Sequence, residues 1–77
     1  MSRNSAQNQR QRLLEALKQK PYSTIEARRE LDIMHPSARV QELKARGANI
    51  VTHKSTEPTE SGELHTVARY VLLSSGQ

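Results

Sequence analysis

The architecture of this 77-residue chain depends on its central segment, residues 23–47, which reads STIEARRELDIMHPSARVQELKARG. Ser23 and Glu26 have the spacing of a capping box, in which the hydroxyl accepts from the amide three residues on and the carboxylate reaches back. Pro36 suits the first turn of a helix, and Gly47 suits a left-handed helix ending. The segment therefore predicts two helices joined by a tight turn.

A helical pattern precedes this segment and an extended pattern follows it. Leucines recur at helical spacing over about residues 8–20, and Pro21 ends that helix because its ring lacks an amide hydrogen. After the segment the period changes to two, which predicts strands over 48–54 and 64–73 joined by a turn-rich stretch. We therefore expect an α+β fold, mainly α, with three helices and a C-terminal β-hairpin. The expected apolar anchors are Ile25, Ala27, Leu31, Ile33, Val40, Leu43 and Ile50.

Length and composition limit the domain organisation. The 77 residues suffice for one domain, which we expect over 8–73, with 1–7 as a disordered tail and 74–77 as a frayed tail. Hydrophobic residues make up 34% and there is no Trp or Phe, so the core is too thin for a deep ligand cavity. The absence of Cys excludes disulfides and thiol chemistry.

Export, membrane insertion and catalysis find no support in the residues. The N-terminus lacks the apolar run of a signal peptide, and the longest apolar stretch, 71–73, is too short to span a bilayer. We expect a cytoplasmic protein without a membrane partner. No glycine-rich phosphate loop is present. His53 and His65 can lie opposite each other across the hairpin, but a metal site needs further ligands. We expect no enzyme activity, cofactor or metal.

Charge is unevenly placed along the chain. Residues 1–47 carry ten Lys and Arg against five acidic residues, a net of +5, whereas residues 48–77 carry two against three, a net of −1. The basic excess lies on the helical half, which suits a polyanionic partner contacted by helices. Aromatic residues are only 3% of the chain, too few for a module that stacks on RNA bases. From charge alone, a solvated surface with spare cations remains an equal alternative.

Residues 23–33 and 37–50 resemble the small winged helix-turn-helix proteins common in bacteriophages, prophages and plasmids. The shared pattern is a capped S/T-T-x-E-A start, an L-x-I turn and then S-A-R-(I/V)-x-x-L-(K/R)-x-x-G-x-x-I, with residues 69–72 similar to the closing strand. The resemblance covers residues 8–73. It implies a small prokaryotic, phage or plasmid transcriptional regulator, associated with the nucleoid, whose third helix reads double-stranded DNA in the major groove.

Within that fold, the exposed side of the third helix supplies the candidate base contacts. They are Ser37, Ala38 and Gln41. Glutamine can bond adenine through two hydrogen bonds, and an alanine methyl can touch a thymine methyl. The candidate contacts to phosphate or the groove edge are Thr24, Arg28, Arg29, His35, Arg39, Lys44, Arg46 and Lys54. Arg39 can instead pair with Asp32 or Glu42 and hold the turn, and any single cation can serve solubility alone.

The tip of the hairpin, or wing, departs from the usual pattern. Many winged domains carry Lys or Arg there, but Glu57, Glu60 and Glu63 occupy this region and phosphates repel them. The wing can therefore face away from DNA, contact a protein or act only at its base. Two alternatives stay open: a protein-interaction module acting through the acidic wing, and a DNA-bending factor of the excision type. A homodimer or a cooperative array of the protein is possible.

Overall fold

The computed structural model describes residues 5–73, which form three helices and a three-stranded antiparallel sheet. The elements are α1 (Ala6–Leu17), β1 (Tyr22–Ser23), α2 (Thr24–Leu31), α3 (Pro36–Ala45), β2 (Ile50–Pro58) and β3 (Leu64–Leu72). The strand order is β1-β3-β2. The predicted class, α+β with three helices and a C-terminal hairpin, is confirmed.

Helix α1 begins at Ala6, about two residues before its predicted start, and ends at Leu17. The side chain of Ser5 caps it by accepting from the amide of Asn8 at 3.2 Å. The expectation of a disordered tail is therefore wrong for residues 5–7, because a serine N-cap satisfies an otherwise unpaired amide. The remaining tail residues, 1–4 and 74–77, lie outside the described part of the chain.

Helix α2 begins with the predicted capping box. The amide of Glu26 donates to the Ser23 hydroxyl at 3.1 Å, and the Glu26 carboxylate accepts from the Ser23 amide at 3.0 Å. At the other end of α2, Asp32 adopts a left-handed conformation with φ of 57°, which short polar side chains tolerate better than most. Local chemistry therefore sets both ends of α2.

The turn between α2 and α3 is held by arginines from both preceding helices. Arg12 of α1 donates through Nε to the carbonyl of Leu31 at 2.6 Å and through Nη2 to that of Asp32 at 3.3 Å. Arg28 of α2 donates through Nε to the carbonyl of Met34 at 3.1 Å. These bonds satisfy carbonyls at the end of α2 and in the turn, and so fix the direction in which α3 leaves.

The hydrophobic core lies where the helices meet the base of the hairpin. It consists of Leu13, Leu17, Ile33, Val40, Leu43, Ile50 and Tyr70. Leu13 and Ile33 are 0% exposed, and each fully buried side chain of this size contributes about 1.5–3 kcal/mol. Among the predicted anchors, only Ile25 and Leu31 are half-buried rather than buried.

Helix α3 ends as predicted. Gly47 has a φ of 102°, and the amide of Ala48 donates to the carbonyl of Leu43 at 3.0 Å. This left-handed ending turns the chain sharply into the hairpin.

The hairpin is longer than the sequence indicates, since β2 continues to Pro58 and pairs from Ile50↔Leu72 to Pro58↔Leu64. Pro58 is tolerated because it lies at the end of the strand. This register places His53 opposite Arg69 and His65 opposite Glu57. The two histidines, which could have faced each other across the hairpin, therefore do not lie opposite each other. Residues 5–73 contain no group of three His, Asp or Glu side chains that could hold a metal ion.

Within the same range of residues, no helix has the length and apolarity needed to cross a membrane.

Candidate nucleic-acid interface

One side of α3 carries three exposed polar side chains. They are Ser37, Gln41 and Lys44, and we call them the α3 stripe. Residues spaced by three and four share a helix face, so the three lie in line along the helix. The core-facing side consists of Pro36, Val40 and Leu43. The 10 residues of α3 span about 15 Å, enough to lie across a DNA major groove about 12 Å wide.

The polar groups of the α3 stripe are open to a ligand. None of the three side chains has a hydrogen bond or ion pair with another residue in 5–73. Ala38 lies beside Gln41, one turn away on the helix, and is half-buried. The structure therefore brings the three sequence-predicted base contacts, Ser37, Ala38 and Gln41, onto one accessible surface with Lys44 at its C-terminal end.

Arg39 points away from this stripe and into the contact between α1 and α3. Its Nη2 lies 2.9 Å from Oε2 of Glu42, whose Oε1 lies 2.8 Å from Nη1 of Arg10. Nη1 of Arg39 also donates to Gln9 at 3.5 Å. Of the two roles left open by the sequence, the structure favours the structural one, with Glu42 rather than Asp32 as the partner.

The arginines that surround Glu42 lower its pKa. The hydrogen bond from Arg10 lowers the pKa of Glu42, Arg39 adds to the effect, and desolvation opposes it. Nε of Arg39 is buried and has no hydrogen-bond partner among the described residues. The guanidinium of Arg39 is thus directed inward and held, rather than free to reach a phosphate.

The turn before α3 contributes exposed groups next to the stripe. His35 is the N-cap of α3, is exposed, and makes no side-chain cap bond. Arg28 is exposed with Nε held by the turn, which leaves its terminal nitrogens accessible, and Arg29 is exposed on the same helix. Thr24 differs, because its hydroxyl lies 3.4 Å from both the Ala68 carbonyl and the Tyr70 hydroxyl.

Met34 is a residue of this surface that the sequence analysis did not single out. It is 62% exposed in the turn that leads into α3. Its position directly before the His35-Pro36 pair was the available signal, since that pair marks a helix start. An exposed apolar side chain beside the stripe adds a group able to contact a thymine methyl.

Arg46 and Lys54 lie in different directions from each other. Arg46 follows Lys44 by two residues, about 200° around the helix, and lines a groove against α1 instead of joining the stripe. Lys54 is exposed, and strand alternation places it on the same hairpin face as buried Ile50, the face turned toward the helices. The structure therefore separates Arg46 from the other candidates.

The wing is less acidic at its surface than its sequence indicates. Arg69 pairs with Glu57 at 2.9 Å and lies 3.6 Å from Glu26 of α2, and the Glu57 side chain is only 16% exposed. This ion-pair group ties the hairpin to α2. At the tip, Glu60 and Glu63 remain exposed.

The loop at the wing tip also approaches α2. A cleft of about 520 Å³ is lined by Ile25, Arg28 and Arg29 on one side and by residues 59–61 on the other. An exposed carboxylate, Glu60, therefore lies across the cleft from two candidate phosphate contacts.

The family comparison agrees with this geometry. The family model described as a winged helix-turn-helix domain matches residues 8–75. Searches of curated proteins and of solved structures gave no match. The match spans α1 to β3 and includes the exposed α3 stripe. The chain belongs to the winged helix-turn-helix domain family, a membership that indicates DNA as its binding partner.

Proposed function

We propose that this protein binds double-stranded DNA sequence-specifically, with α3 in the major groove, as a small transcriptional regulator of prokaryotic, phage or plasmid origin associated with the nucleoid. The observation that carries the proposal is the α3 stripe. Its hydrogen-bonding groups have no partner within residues 5–73, and it lies on the exposed side of a helix whose other side is anchored in the core.

Base readout comes from Ser37 and Gln41, with Ala38 beside them. The amide of Gln41 can donate to N7 and accept from N6 of adenine, and the Ser37 hydroxyl can donate or accept. The Ala38 methyl is small enough to leave room for close approach and can pack on a thymine methyl.

Phosphate contacts come from Lys44, at the C-terminal end of the stripe, and from groups outside it. They are Arg28, Arg29, His35, Lys44 and Lys54. We leave Arg39 out of the interface because Glu42 and Gln9 hold it, and Arg46 because it points to the opposite side of α3. We leave out Thr24 because its hydroxyl contacts the hairpin. The interface therefore uses the turn, the stripe and Lys54 in the middle of β2.

The test compares two neighbouring cations at the end of α3. Lys44→Ala and Arg46→Ala each remove one positive charge, from opposite sides of the helix. The affinity of each variant for a duplex selected from a random library is measured by fluorescence anisotropy over a range of salt concentrations. Lys44→Ala is expected to weaken selected and scrambled duplexes alike and to reduce the salt slope by about 1. Arg46→Ala is expected to weaken binding less than Lys44→Ala does.

Gln41→Ala is the companion variant for base readout. It is expected to lower the preference for the selected duplex by about 1–3 kcal/mol, which is about 5- to 150-fold, while binding to the scrambled duplex stays the same. Affinity that is indifferent to both Gln41→Ala and Lys44→Ala would contradict the placement of α3 in the groove.

A further inference from the structure

A groove of about 750 Å³ lies between α1, the C-terminal end of α3 and the base of the hairpin. We call it the basal groove. Its floor is apolar and includes Leu14, Leu43 and Leu72, and its rim carries Arg10, Lys18 and Arg46. A partly exposed apolar floor within a polar rim is typical of a binding surface.

The charge of the basal groove indicates which kind of ligand it can bind. Among residues 5–73, no acidic side chain lines it. Arg10 is held by Glu42 at 2.8 Å. Lys18 lies 3.3 Å from Glu15, but its side chain is 44% exposed, and an exposed pair of this kind is weak. Arg46 has no ion pair among residues 5–73. The groove therefore suits an apolar side chain flanked by carboxylates.

The wing tip of this same chain has that chemistry. Leu64 is 69% exposed, the highest value among the large hydrophobic residues described as exposed. Glu63 precedes it with a side chain that is 77% exposed, and Glu60 is exposed in the same loop. The tip thus presents a solvated leucine beside two carboxylates.

The loop that carries these groups is ordered by its own hydrogen bonds. The amide of Thr59 donates to the Glu63 carbonyl at 2.8 Å, and the amide of Gly62 donates to the Thr59 carbonyl at 2.9 Å. The hydroxyls of Thr59 and Ser61 lie 2.9 Å apart. A loop closed in this way loses little conformational entropy on binding.

The two surfaces lie at opposite ends of the hairpin. Leu72 of the groove and Leu64 of the tip are eight residues apart on one strand, which is about 26 Å. They cannot meet within one chain, but they can meet between copies. Such a contact is heterologous: each joined copy still offers a free tip or a free groove, so the contact can repeat.

We propose that the wing tip of one copy docks in the basal groove of a second copy, with Leu64 on the apolar floor and Glu60 and Glu63 against Lys18 and Arg46. The α3 stripe stays open, because Arg46 and Lys44 point to opposite sides of α3. A groove-to-groove dimer is disfavoured because it would bring like charges together.

The contact is small and is therefore weak in free solution. If the proposed function holds, copies on adjacent DNA sites gain from a high effective concentration, and the contact makes their binding cooperative. The docking itself does not depend on DNA binding. It can be measured without DNA, so its failure and the failure of the proposed function are distinguishable.

The test is sedimentation velocity of the full chain, without DNA, over a concentration series up to about 1 mM, the range in which weak contacts populate. The tip variant carries Glu60→Lys and Glu63→Lys, and the groove variant carries Lys18→Glu and Arg46→Glu. The wild-type average mass is expected to rise with concentration. In each variant alone, self-association is expected to weaken by more than about tenfold, because like charges then face each other.

The mixture of the two variants is the decisive sample. Its contacts pair a reversed tip with a reversed groove and a native tip with a native groove, so association is expected to return to the wild-type level. Circular dichroism of each variant checks that it is folded. A wild type that stays monomeric, association that persists in both variants, or a mixture that shows no recovery overturns the proposal.

Discussion

At the scale of single residues, some cations are bonded to other groups of the protein, and others are free to contact a binding partner. Arg12 is bonded to backbone carbonyls of the α2–α3 turn, and Arg39 is held by Glu42. Lys44, five residues after Arg39 on the same helix, has no partner in residues 5–73. Two identical charges can therefore have opposite roles, because helix direction and packing decide which of them meets a carboxylate.

The ion pairs of Glu42 make the stability of the fold depend on pH. Its folded-state pKa lies below the ordinary value of 4.5, chiefly through the hydrogen bond from Arg10. The stabilisation is present above that ordinary value and is lost as pH falls through the lowered pKa. Glu42→Gln is expected to be less stable than wild type at about pH 7, and the difference is expected to shrink toward about pH 3.

Urea unfolding of wild type and Glu42→Gln at a series of pH values measures this difference. Glu15→Gln is the matched control, since Glu15 is exposed on α1, where it pairs with Lys18 at 3.3 Å and accepts a hydrogen bond from Gln11 at 3.4 Å. A gap between wild type and Glu42→Gln that stays constant down to about pH 3 contradicts ionised Glu42 as the source.

At the scale of elements, short-range signals set where α2 and α3 begin and end. The capping box at Ser23, the proline at the start of α3 and Gly47 at its end all act within a few residues of the chain. Such signals are legible in a sequence because the partner groups lie three to five positions apart. The strand limits were less predictable, since β2 extends to Pro58 only by pairing with β3.

Ser23→Ala tests the element scale. It removes a buried hydroxyl that accepts from the amide of Glu26, and it is expected to lower the free energy of unfolding by about 0.5–2 kcal/mol. Ser37→Ala, at an exposed serine without a partner in the described residues, is expected to change it by less than about 0.5 kcal/mol. Thermal and urea unfolding of the two variants compare them, and equal losses contradict the cap as the cause.

At the scale of the whole molecule, the wing is positioned by ion pairs that cross between elements. Arg69 in β3 joins Glu57 in β2 to Glu26 in α2. This arrangement also removes one of the three wing carboxylates from the surface. Fewer exposed carboxylates therefore oppose DNA contact at the wing tip than the number of acidic residues in the sequence indicates.

Arg69→Ala is expected to loosen the outer half of the hairpin. The amides of residues 54–58 and 64–68 are expected to exchange hydrogen faster, while those of α1 and α3 stay protected. His53→Ala, a change at the position directly opposite Arg69, is the control and is expected to have little effect. Hydrogen exchange followed by mass spectrometry reads both, and unchanged exchange in Arg69→Ala contradicts the role given to this ion-pair group.

Local chemistry alone was enough for the helix–turn–helix order, the capped start of α2, the left-handed ending at Gly47 and the exposed line of Ser37 and Gln41. Tertiary packing decided the rest. It set the direction of the Arg39 and Arg46 side chains, the hairpin register that separates His53 from His65, and the ion pair that neutralises Glu57. The physical reason is distance along the chain. Caps and helical faces follow from neighbours within one or two turns, whereas Arg10 meets Glu42 across 32 positions, and only the packed helices bring them together.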